Sequence, residues 1–169
     1  DHLAVTHEVV FTARRSPVRD VSCRLPAEAP AALSVQGLPG TVVKEHSSQM
    51  DAAGRRVITA LLAAETSRPA IRITYQMPLA ADGQPKTAPL VDAFTAGDQH
   101  GHLAVEGASE LDVTIRNPPR AVDVGELISH QTQPGRRLLG VYAYTGAPPD
   151  VNFTVTRQAV HALPAVLIR

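Results

Sequence analysis

Apolar and polar residues alternate along most of this chain. The odd positions from 3 to 11 are Leu3, Val5, His7, Val9 and Phe11, one face of a half-buried strand. Val21, Cys23 and Leu25 repeat the pattern before Pro26. Ile71, Ile73, Tyr75 and Met77 alternate with Arg72, Thr74 and Gln76, between the stops Pro69 and Pro78. Leu103 and Val105 follow Gly101, and Leu111, Val113 and Ile115 alternate with Asp112, Thr114 and Arg116. Leu139, Val141 and Ala143 alternate with Tyr142 and Tyr144, as Val151, Phe153 and Val155 do with Asn152, Thr154 and Thr156. Residues 56–65 have a helix-favouring composition, but they follow a turn and precede a strand, so they read as strand. Residues 122–130 have room for one short helical turn.

Turn signals separate these runs: Leu38-Pro39-Gly40, residues 51–54, Asp82-Gly83, Ala96-Gly97-Asp98, Gln133-Pro134-Gly135 and Gly146-Ala147-Pro148-Pro149. Short strands between such turns predict an all-β fold, an antiparallel β-sandwich with minimal helix. The expected core is Val9, Phe11, Val21, Cys23, Leu25, Ile71, Ile73, Leu103, Val105, Leu111, Val113, Ile115, Val141, Phe153 and Val155. Residues 78–98 are the longest weakly patterned stretch, either a crossover between sheets or a boundary between two lobes split near 80–98. Each half has only about 80 residues and few aromatics, which favours one sandwich domain over 1–160. Residues 161–169 then form a terminal strand or a linker to a following domain. No internal repeat stands out in the sequence.

Composition narrows the function classes. Sixteen basic and sixteen acidic side chains balance among 169 residues, which argues against a nucleic-acid domain or a polybasic membrane binder. The 14 prolines and the absence of Trp fit a much-punctuated β-protein. No run approaches the ~18 apolar residues of a membrane span, so this segment is not expected to insert into a membrane. Cys23 is alone, which excludes an intrachain disulfide, and its apolar neighbours mark a buried, inert thiol. Arg outnumbers Lys 14 to 2, a bias of GC-rich bacterial genomes. The start at Asp1 without Met and the apolar end suggest a piece of a longer chain.

Asp98, His100 and His102 are the best metal-ligand candidates. Histidines two apart on a strand share a face, and Asp98 lies close enough to join them. A zinc site needs a further ligand, and His7, His46, His130 and His161 have no diagnostic spacing. A polar strand face opposite Leu103 and Val105, at the mouth of a loop, explains the cluster better, so no metal or other cofactor is expected. Asp82, Asp92 and Asp98 are scattered, without a calcium-loop run, and suit turns. There is no Gly-x-Ser-x-Gly elbow, phosphate loop or His-Glu-x-x-His, so no catalytic residues are assigned and the chain is not expected to be an enzyme. Tyr142 and Tyr144 share a strand face, which offers a small binding surface or packs under a loop.

The order of features resembles a repeated β-domain of large uncharacterised bacterial envelope proteins. The likeness runs from the opening strand through Cys23-Arg24-Leu25-Pro26, Val35-Gln36-Gly37 and the Ile71-x-Ile73-x-Tyr75 strand. It continues with Gly101-His102-Leu103-Ala104-Val105, Leu139-Gly140-Val141-Tyr142-Ala143-Tyr144 and Pro148-Pro149-x-Val151-x-Phe153-x-Val155. The resemblance implies a module of an exported or membrane-anchored protein, periplasmic or at the cell surface. Its signal peptide would lie upstream. The implied partners are neighbouring domains or other envelope proteins. The leading expectation is a non-catalytic structural or interaction module. The alternatives are a carbohydrate- or metal-binding module and, last, a hydrolase on a β-scaffold.

Overall fold

In the computed structural model, which describes residues 2–94, 97–127 and 134–157, the alternating runs become twelve strands. The first six are β1 (His2–Val10), β2 (Val18–Leu25), β3 (Ser34–Gly37), β4 (Val43–Met50), β5 (Arg56–Thr66) and β6 (Ala70–Pro78). The rest are β7 (Pro85–Thr87), β8 (His100–Ala108), β9 (Leu111–Arg116), β10 (Arg120–Ala121), β11 (Arg136–Thr145) and β12 (Asn152–Arg157). Every pairing is antiparallel. Among the described residues the helical element is a single 3₁₀ turn, Val124–Glu126, whose start is capped by the Asp123 carboxylate accepting from the Gly125 N–H. Residues 128–130 of the stretch expected to hold that turn, and the terminal segment 161–169, lie outside the described residues.

The strands form four three-stranded sheets, β1-β6-β3, β2-β5-β4, β7-β12-β9 and β10-β11-β8. The last two repeat the order of the first two, with β7 to β12 taking the places of β1 to β6 in turn. Register agrees with order: Val35 faces Ile73 as Ile115 faces Phe153. Local sequence follows at the same places. Gly54-Arg55-Arg56 and Gly135-Arg136-Arg137 lead into β5 and β11, and both glycines sit at φ 76°, a left-handed turn position that disfavours side chains. Pro69-x-Ile71-x-Ile73-Thr74 recurs as Pro149-x-Val151-x-Phe153-Thr154. The described strands thus form two copies of one six-stranded sandwich. The repeat was hidden because a sandwich needs only alternation, which leaves few identities to detect.

Buried apolar residues fall into two clusters. Val5, Val9, Val35, Ile71, Ile73, Tyr75 and Met77 from one sheet meet Val21, Cys23, Leu25, Ile58 and Ala60 from the other in the first lobe. Ala88, Val151 and Phe153 centre the second, with Leu103, Val113, Ile115 and Val155 packed around them. Leu3 touches both clusters. Of the expected core, Val9, Val21, Cys23, Leu25, Ile71, Ile73, Val141 and Phe153 are buried. Phe11, Leu103, Val105, Leu111, Val113, Ile115 and Val155 are only half-buried. In the second lobe the reason is the size of its sheets. β7 has three residues and β10 two, against nine and eight in β1 and β4, so less surface covers the inner faces.

β4 escaped the alternation reading altogether. Its sequence, VKEHSSQM, is largely exposed along an outer edge, where no sheet face imposes a period and charged Lys44 and Glu45 discourage edge pairing.

Candidate functional site

The densest charged cluster lies where the two lobes meet. After β6 the chain runs through Leu79 and β7, and then passes along the outer edge of β2. There Asp92 pairs with Arg24 through both backbone bonds: the Arg24 N–H donates to the Asp92 carbonyl at 2.7 Å and the Asp92 N–H returns one at 2.9 Å. The linker thus takes the place of a short fourth strand on the first lobe.

Side chains tighten this seam. Arg24 Nε lies 3.3 Å from Asp51 Oδ2 and its Nη1 4.0 Å from Asp92 Oδ2. Arg55 reaches the same two carboxylates, at 3.4 Å and 3.8 Å. The Arg24 guanidinium also sits 3.8 Å from the centre of the Phe94 ring, a cation–π contact. Asp51 is fixed by the turn before β5, where its Oδ1 accepts the N–H groups of Ala53 and Arg55, both at 2.9 Å. The Arg55 N–H bond, with help from the Ala53 bond and the two guanidinium groups, holds the Asp51 carboxyl below its ordinary range. The Nε atoms of Arg24 and Arg55 are buried and held by charge rather than by aligned hydrogen bonds. Of these four charges Arg24, Arg55 and Asp51 belong to the first lobe, and Asp92 is the linker's contribution.

Open clefts flank Asp92. One, of about 310 Å³, is lined by Phe94, Gly97, Gln99 and Gly146, and the other, of about 240 Å³, by Arg24, Arg55, Leu90 and Pro148. Burial, then the Asp92 charge, pushes the Cys23 thiol up to about 12, so it stays protonated and unreactive. The same two causes raise the Tyr144 phenol.

A second polar pair is enclosed within the first lobe. His7 occupies a core position of β1, and its Nε2 shares a 3.1 Å hydrogen bond with the Tyr75 hydroxyl on β6. Burial lowers the His7 pKa from 6.5 to about 4, so the imidazole is neutral.

The residues singled out from the sequence are engaged differently. Asp98 does not turn to the histidines; its carboxylate accepts a 2.6 Å charged bond from Arg14, on the other lobe. His100 and His102 are exposed on β8, and His102 Nε2 lies 4.0 Å from a Glu126 oxygen. Among the described residues no three His, Cys, Asp or Glu side chains converge on a point suited to a metal. Of the more distant histidines, His7 is buried in the first lobe and His46 is exposed on β4, while His130 and His161 lie outside the described residues. Tyr142 and Tyr144 are half-buried over glycines. A Cβ on Gly140 would stand 2.5 Å from the Tyr142 hydroxyl, and one on Gly101 2.5 Å from the Tyr144 ring. The rings thus cover bare backbone.

Sequence reasoning missed the seam because its members are far apart in the chain and Asp92 resembles any turn aspartate. The repeated Gly-Arg-Arg was the available signal. Among the described residues no helix is long and apolar enough to cross a membrane. No protein-family model, curated protein or solved structure matches the chain.

Proposed function

We propose that the chain is a non-catalytic structural and interaction module, a pair of six-stranded lobes held in fixed relation within a larger exported protein of the bacterial envelope. The observation that carries this reading is the seam. Asp92 of the linker is held against Arg24 and Arg55 of the first lobe, which Asp51 positions, so these side chains are spent on fixing the linker to that lobe. Such a partly buried network contributes modestly to stability but defines orientation, because each charge left alone would be poorly solvated. A spacer or scaffold needs that property. The bacterial and envelope elements of the proposal rest on the arginine bias and the family resemblance. A carbohydrate strip at Tyr142 and Tyr144 is disfavoured, since those rings lie on Gly140 and Gly101.

If the seam fixes the lobes, backbone ¹⁵N relaxation should return one rotational correlation time for residues 2–78 and 100–157. Arg24→Ala combined with Asp92→Ala should split it into two shorter times while each lobe keeps its dispersed spectrum. Independent tumbling in the unmodified chain would contradict the spacer reading.

A further inference from the structure

β6 and β12 hold the same central place in their sheets. Pro69-x-Ile71-x-Ile73-Thr74 and Pro149-x-Val151-x-Phe153-Thr154 share an apolar face and a threonine. Between these positions the first copy carries Ala70 and Arg72, and the second Asp150 and Asn152. Arg72 is committed to an ion pair with Glu8, across from it on β1. Asn152 meets Thr87 on β7 instead, whose hydroxyl donates to its Oδ1 at 3.0 Å. The second copy thereby reads Asp150-Val151-Asn152-Phe153-Thr154, an Asn-x-Thr acceptor motif for N-glycosylation without proline at its middle position. The carboxylate two residues before the asparagine completes the form of the motif that bacterial oligosaccharyltransferases use. Asn117, the chain's other asparagine, precedes Pro118 and lacks the motif.

The fold leaves room for a sugar at this position. Residues two apart on a strand share a side, so Asn152 and Thr154 lie together, opposite Val151 and Phe153. Those two fill the second lobe's core, which puts the asparagine on the outer face of the β7-β12-β9 sheet. Its lateral neighbours there, Thr87 and Arg116, are exposed, as is Asp150 just before the strand. With Oδ1 taken by Thr87, Nδ2 lies 3.5 Å from Asp150 Oδ1, a contact too long to hold it. Transfer itself needs an extended acceptor free on all sides, and Val151 and Phe153 are buried once β12 is in place. Glycosylation therefore precedes the docking of β12 between β7 and β9.

We infer that Asn152 is an N-glycosylation site, modified during export and carried outward on the second lobe's outer sheet face. The inference rests on the reading of the chain as an exported module, since donor and transferase work on the outer side of the inner membrane. The donor is an oligosaccharide joined through diphosphate to a membrane lipid. Asn152 Nδ2 bonds to the anomeric carbon of the first sugar as the bond from that carbon to the diphosphate oxygen breaks. The lipid diphosphate leaves with the electron pair, and Nδ2 gives up one proton to a base of the transferase. Bulky and hydrated, the glycan solubilises the sheet face that bears it.

The test sends the chain to the periplasm of a bacterium that holds a lipid-linked oligosaccharide and its transferase, beside a protein known to be modified there. Intact mass and peptide mapping should then find one glycan, on the peptide that contains Asn152, with Asn117 unmodified. Asn152→Gln, Thr154→Val and Asp150→Ala should each lose it, while Thr154→Ser should keep it. Valine is a good strand residue, so loss of the glycan in Thr154→Val is not loss of the fold. The glycosylated chain should keep the dispersed amide spectrum of the unmodified one outside the surroundings of Asn152. A chain left bare beside a modified control protein, a glycan that survives Thr154→Val or Asp150→Ala, or a glycosylated chain that no longer folds would each overturn the inference. Export is imposed in this experiment and relaxation reads the lobes separately, so a bare chain leaves the spacer reading standing.

Discussion

Replacing Ile73 with alanine is expected to lower the free energy of unfolding by about 2–5 kcal/mol, the transfer cost of the lost side chain plus that of the cavity left behind. Ile73 is fully buried at the middle of β6, the central strand of its sheet. His7 on β1 and Val35 on β3 flank it in register. With both neighbours paired and the facing sheet closed by fully buried Leu25 and Ile58, the site has little freedom to collapse. Urea unfolding at neutral pH measures the change through the midpoint at constant slope. A loss below roughly 1 kcal/mol would show that Ile73 does not centre a close-packed core.

Acid should weaken the fold in a window set by His7. Unfolded, the imidazole binds a proton near pH 6.5; folded, burial defers that to about pH 4. Below 6.5 the unfolded chain gains a proton that the folded chain does not, so stability is complete above that pH and declines as pH falls toward 4. The gap corresponds to about 3 kcal/mol. Asp51, held below its ordinary value of 3.8, adds its own loss only in more acid solution, as pH falls below that value. Unfolding followed from pH 7 to pH 4 should show the decline in the unmodified chain. It should be much reduced in His7→Gln, which keeps a partner for the Tyr75 hydroxyl but cannot titrate. Equal slopes in the two proteins would place the pH dependence elsewhere.

How far the fold was legible depended on burial. β1, β2 and β6 each bury one face against the facing sheet and turn the other outward, and their alternating residues announce them. β5 was readable despite Ala-rich, helix-favouring composition, because the turn at Gly54 and the stop at Pro69 leave it room only as a strand. β4 was not readable, since an exposed edge imposes no hydrophobic period. The second lobe showed the same period as the first, but alternation reports which face turns inward and not how completely it is covered. Leu111, Val113 and Ile115 accordingly alternate correctly and remain half-buried. The seam was least legible of all. Arg24 and Asp92 are brought together by topology, and no spacing rule connects an edge-strand arginine with a linker aspartate. Asp98, which sequence placed with His100 and His102, was drawn instead to Arg14, a cation whose position only the fold reveals.

The central claim is that two copies of one sandwich are joined by the linker pairing on β2, and amide hydrogen exchange at Arg24 and Asp92 tests it most directly. Each of these N–H groups donates only across the seam, to the other's carbonyl. Both should therefore be protected in the unmodified chain, to a similar degree, and both should lose protection together in Asp92→Ala while Ile73 on β6 remains protected. Free exchange at Arg24 and Asp92 alongside a protected β6 would mean that the lobes fold but are not joined in this way, and would contradict the claim.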